Sequence, residues 1–98
     1  MYVFGFSFGG SGRKWDFFDG IKVDSLGNVY VCASGYGVLI FDITGELIGT
    51  IKTSMQTSNL VIAPDGWMYI TAGGSVLRVR SMVKPAALFL PPSGTIMP

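Results

Sequence analysis

The chain has 98 residues, of which 49% are hydrophobic and 13% charged, with seven Lys or Arg against six Asp or Glu and no His. That balance excludes a disordered polar chain. Without a basic stripe or an apolar run of roughly 18 to 20 residues, neither nucleic acid nor a membrane is expected as a partner. The lack of histidine removes the commonest general base and the usual zinc ligand.

In chain order, Tyr2-Val3-Phe4-Gly5-Phe6 reads as a strand with no lead-in, Gly9 to Lys14 as a turn-rich connection, and Trp15 to Phe18 as an outer strand. Ile21 to Asp24 alternates and is followed by Ser25-Leu26-Gly27-Asn28, a tight turn with glycine where φ > 0 is needed. Val29 to Ala33 is a nearly all-apolar run of the kind buried on both faces. After the Ser34 to Gly37 turn, Val38 to Ile43 forms the next strand, and Thr44-Gly45 turns into Glu46 to Ile51. A polar linker, Lys52 to Ser58, leads to strands at Leu60 to Ala63, Trp67 to Ala72 and Ser75 to Arg80, with Pro64-Asp65-Gly66 as the first turn. No fourth strand is evident after Arg80, and the prolines from Pro85 onward leave the tail as a docked strand at Ala86 to Leu90 or as disorder. Short strands joined by glycine turns, without helical periodicity, make the chain all-β.

The chain repeats itself. Superposing Ile21 on Leu60 places Val23 on Ile62, Gly27 on Gly66, Val29-Tyr30-Val31 on Met68-Tyr69-Ile70, and Ala33 on Ala72; one residue is lost near Gly73, after which Val38-Leu39 matches Val76-Leu77. A period of about 39 residues falls in the range of a four-stranded β-propeller blade. The expected architecture is therefore two to two and a half antiparallel blades over residues 1–83, an incomplete propeller, with a Pro-rich tail at 84–98. Too few blades to close leave an apolar face and a sheet edge open, so marginal stability and self-association through exposed edges are expected. No secretory leader is visible, which leaves the location open and favours the cytoplasm.

The run DGIKVDSLGNVYVCASGYGVLIFDITGELIGTIKT, followed by Asn59-Leu60 through Arg80, resembles the gluconolactonase and SMP-30-like family of six-bladed β-propeller hydrolases. The resemblance covers residues 1 to 82, best between Asp19 and Arg80, and falls in the C-terminal third of that fold. It implies a central channel holding a divalent cation, calcium or zinc, and hydrolysis of a small lactone or related ester by metal-activated water. It carries one position over to this chain: Asp19, in Phe18-Asp19-Gly20, as metal ligand and catalytic general base. Phe18 stands where the family has proline. The glutamate, arginine and asparagines supplied by earlier blades have no counterpart, so the resemblance implies a fragment that is not competent alone.

The remaining residues have plainer readings beside the functional ones. Asn59 stands at the head of its strand, where its amide either contacts substrate or simply opens the strand. Asp24, Asp42 and Asp65 read as turn residues whose carboxylates bond locally. Cys32, alone in an alternating strand, reads as a small buried hydrophobe. Trp15, Trp67, Tyr30 and Tyr69 read as packing residues, and Arg78 and Arg80 as facing solvent or a neighbouring sheet. The glycine clusters lack the lysine and helix of a phosphate loop. Two functions stay open: part of a lactonase-like hydrolase, or a non-catalytic propeller remnant that acts as a protein-interaction module.

Overall fold

The structure, a computed structural model, describes residues 18–35 and 37–86. The strand expected at Tyr2–Phe6, the Gly9–Lys14 connection and residues 87–98 of the tail lie outside the described residues. Seven strands follow in order: β1 (Phe18–Val23), β2 (Val29–Ala33), β3 (Gly37–Phe41), β4 (Leu47–Lys52), β5 (Thr57–Ile62), β6 (Trp67–Ala72) and β7 (Ser75–Arg80). They form two antiparallel meanders, a four-stranded sheet β1-β2-β3-β4 and a three-stranded sheet β5-β6-β7. Among the described residues there is no helix, so the all-β reading stands.

Three hairpins share one turn geometry. At Asp24, Asp42 and Ala63 the backbone N–H donates to the carbonyl four residues on (3.0, 2.9 and 2.8 Å), and the residue three positions on donates back (3.1, 2.9 and 3.2 Å). That last donor is Gly27, Gly45 or Gly66, at φ 87°, 93° and 93°. Only glycine adopts this left-handed backbone without steric cost, so three sequence glycines fix three turns. The residue lost between the repeats also has a plain cause. Ala33 pairs with Gly37 across a three-residue connection, whereas Ala72 pairs with Ser75 across Gly73-Gly74 alone.

Strand starts depart from the sequence reading at equivalent places. Phe18, expected as the last residue of an outer strand, belongs to β1 and pairs with Ala33, with a bulge separating it from Ile21; the rest of that expected strand, from Trp15, lies outside the described residues. Thr57 and Ser58, expected in a linker, lie in β5, where Thr57 pairs with Ala72 ahead of a second bulge before Asn59. The extra bulge residue breaks alternation, which is why a period-two pattern misses both starts. Ile43 and Ala63 fall in the turns beyond their expected strands.

The two sheets pack head to tail. One core layer joins Tyr30, Cys32 and Val38 of the first sheet to Leu60, Ile62, Met68 and Ile70 of the second. The other face of the first sheet buries Val29, Val31, Ala33, Leu39 and Phe41. By the repeat, these correspond to Met68, Ile70, Ala72, Leu77 and Val79 on the face with which the second sheet packs on the first. Each repeat thus offers two unlike faces, and unlike meets unlike. β2 is buried along its whole length, as its composition implies.

A strap ties the sheets at their turns. The N–H groups of Ser81 and Met82 donate to the Gly66 carbonyl (2.8 and 3.1 Å), after which Ser25 donates to the Lys84 carbonyl at 2.7 Å and Ala86 to that of Val23 at 3.2 Å. Pro85 bridges Asp24.

Candidate functional site

β1 and β5, the first strands of the two sheets, lie side by side, and this sets Asn59 against Gly20, the residue that follows Asp19. Asp19 is exposed in the bulged start of β1. Its neighbour Gly20 lies so close to Asn59 that a Cβ there would collide with Oδ1 and sit 2.9 Å from Cα. The Asn59 carboxamide oxygen accepts from its own strand, Leu60 N–H at 2.8 Å, and from the Lys22 ammonium at 3.0 Å. The Asn59 backbone is held as well, donating to and accepting from the Thr71 hydroxyl at 3.1 and 3.2 Å.

Sequence reasoning missed Lys22. The available signal was strand alternation, which sets Lys22 on the same face as Gly20 and therefore toward Asn59. Beneath them is Cys32, with no exposed surface. Burial pushes its thiol up to about 11, with the Lys22 charge opposing that shift and the Asp19 charge adding to it. A thiol held in this way is not a nucleophile at neutral pH.

Does this cluster suit a divalent cation? A hard cation seeks six to eight oxygens, several of them carboxylate. Here Asp19 offers one exposed carboxylate, and the Asn59 amide oxygen is already occupied by an ammonium group. Among the described residues, no three His, Cys, Asp or Glu side chains converge as a metal would require. The donor set present does not fit calcium or zinc. Beside it, Ile21, Val23, Val61, Ile62, Pro85 and Ala86 line an open cleft of about 430 Å³, and among the described residues that line it Lys22 alone is charged. The described lining is apolar and holds no acid beside that base.

Among the described residues, the most enclosed carboxylate lies elsewhere. Asp24 is 1% exposed and accepts four hydrogen bonds: Leu26 N–H (2.9 Å) and Asn28 N–H (3.0 Å) on Oδ1, with Asn28 Nδ2 (3.0 Å) and the Tyr30 hydroxyl (2.8 Å) on Oδ2. Burial raises its pKa, but the bonds from Tyr30, Asn28 and Leu26 outweigh that and hold it below the ordinary value. Every acceptor direction faces a donor, so Asp24 fastens the turn. Asp42 repeats the arrangement in the open, accepting from Thr44 N–H, the Thr44 hydroxyl and Glu46 N–H. Asp65 accepts from Trp67 N–H at 3.1 Å. These local bonds match the turn roles read from the sequence.

On the outer face of the second sheet, the Arg78 guanidinium carbon lies 3.9 Å and that of Arg80 4.7 Å from the Trp67 ring centre. Val61 and Val76 on this sheet are 50% and 68% exposed. Comparison with known proteins finds no matching family model, no matching curated protein and no matching solved structure.

Proposed function

We propose that this chain is a pair of β-propeller-type blades acting as a non-catalytic interaction module. The observation that supports this reading is the head-to-tail packing. The first sheet uses Tyr30, Cys32, Val38 and Ile40 to hold the second. On the corresponding face of the second sheet, Thr71, Val76 and Arg78 are exposed and Tyr69 is half-buried, with Val76 68% exposed. A repeat that stacks by unlike faces and ends on an open one is built to receive a further β-sheet.

A second reading rests on the sequence resemblance and on the meeting of Gly20 with Asn59: part of a lactonase-like hydrolase in which Asp19 supplies one ligand and Asn59 meets the lactone. In that reading the divalent cation and the other ligands come from blades outside this chain.

One pair of measurements separates the two. The interaction-module reading expects an unchanged melting temperature on adding calcium or zinc, and no hydrolysis of a sugar lactone by the 98-residue chain. A metal-dependent rise in melting temperature that Asp19→Asn removes would favour the hydrolase and count against the module. The open edges are also where self-association would occur, which sedimentation over a range of concentrations would register.

A further inference from the structure

Three features of β7 converge. First, among the described residues it is an edge. In the first sheet, β3 is paired on both sides, by β2 and β4, whereas its counterpart β7 pairs only with β6 among the described residues. An unpaired row of backbone donors and acceptors is a template for another strand. Second, β7 carries unlike faces, with Leu77 and Val79 packed against the core and Arg78 and Arg80 exposed on the other side. Third, both guanidinium groups stack on Trp67, and among the described residues neither has a carboxylate partner. A guanidinium that lies flat on an aromatic ring keeps its in-plane N–H fork available to a carboxylate.

We propose that β7 and its Trp67–Arg78–Arg80 platform form a docking site for an acidic extended strand of a partner polypeptide. The proposal rests on the interaction-module reading and names the partner's chemistry. Side chains two residues apart share one face of a strand, so carboxylates at that spacing meet Arg78 and Arg80 while the apolar residues between them extend the layer of Leu77 and Val79. This chain does not supply such a strand. Its acidic residues are Asp16, Asp19, Asp24, Asp42, Glu46 and Asp65, and no two of them are two positions apart. Two copies meeting face to face would set guanidinium against guanidinium. The charges therefore point to an acidic partner strand rather than to a segment of these 98 residues or a second copy of them.

The test titrates the 98-residue chain against a labelled peptide with a Glu-Val-Glu-Val-Glu centre, a Gln-Val-Gln-Val-Gln counterpart, and a Glu peptide N-methylated along one edge. The Glu peptide is expected to bind about tenfold more tightly than the Gln peptide at low salt, with the difference shrinking as salt rises. N-methylation should abolish binding. The doubly substituted Arg78→Glu, Arg80→Glu chain should reverse the preference toward a Lys-Val-Lys-Val-Lys peptide, and both positions are exposed, so the fold is expected to survive. Equal binding of Glu and Gln peptides, indifference to N-methylation, or displacement of the peptide by a short single-stranded oligonucleotide would overturn the proposal. Each of these outcomes is distinct from metal-dependent lactone hydrolysis, the result that would overturn the interaction-module reading itself.

Discussion

The Tyr30 hydroxyl donates to Oδ2 of Asp24 at 2.8 Å, joining a residue in the middle of β2 to the turn that precedes the strand. Tyr30 is 4% and Asp24 1% exposed, so neither group has water as a substitute partner. The second repeat has kept the tyrosine, as Tyr69, but has Ala63 in place of the aspartate.

Removing one partner should therefore be costly only in the first repeat. Tyr30→Phe is expected to lower unfolding free energy by about 1 kcal/mol, and Asp24→Ala by about 2 to 3 kcal/mol because it strands the buried hydroxyl together with the turn donors. Tyr69→Phe should change it by less than about 0.5 kcal/mol. Urea unfolding of the three variants measures this; equal effects of Tyr30→Phe and Tyr69→Phe would refute the buried pair.

The same pair sets opposite pH limits. Asp24 is depressed in the folded chain, so its stabilisation is complete above its ordinary value of 3.8 and is lost as pH falls through the lower folded value. Burial first, and the Asp24 bond and charge next, raise Tyr30 above its ordinary value of 10.0, so its contribution is complete below pH 10 and is lost as pH rises beyond it. Cys32, lifted from 9.0 to about 11, erodes stability over that interval. Melting temperature against pH should show both limbs. Asp24→Asn is expected to flatten the acid one, and Tyr30→Phe combined with Cys32→Ala the alkaline one.

Thr57 gives a test of the joint between the sheets. Its hydroxyl, 2% exposed, lies 2.9 Å from the Gly37 carbonyl and 3.2 Å from that of Ala33, so a β5 side chain reaches back to the ends of β2 and β3. Thr57→Val keeps the shape and removes the one hydroxyl proton that the two carbonyls share, at an expected cost of about 1 to 2 kcal/mol. Thr57→Ser should recover most of it. Denaturant midpoints that rank Val with wild type would show the bond to be idle.

Gly20→Ala should force β1 and β5 apart, since the new methyl meets the Asn59 side chain and backbone. An overpacked contact of this kind costs about 1 to 3 kcal/mol. Shortening the opposing residue, Asn59→Gly, is expected to restore part of the loss in the double variant. Additive losses from the two changes would place the collision elsewhere.

Much of the local structure is legible in the sequence. Gly27, Gly45 and Gly66 marked the three turns because their backbone geometry tolerates little else, and the runs Val29–Ala33, Trp67–Ala72 and Ser75–Arg80 are the observed strands. Phe18 and Thr57 were misplaced because bulges break the alternation on which such a reading depends. For the candidate site, the sequence singled out Asp19 and Asn59 separately, 40 positions apart, with nothing local to join them.

The sequence by itself determined the all-β class, the two-fold repeat and the turn chemistry, since these follow from side-chain period, backbone sterics and self-similarity along one chain. Only the tertiary structure decided which faces meet. It set Gly20 against Asn59, put the Lys22 ammonium on the amide oxygen, buried Asp24 under Tyr30, and stacked Arg78 and Arg80 on Trp67. The Asn59 contacts depend on how two sheets approach in space and the other two on strand register and burial, relations that packing fixes and that the pattern of residue types along the chain does not spell out.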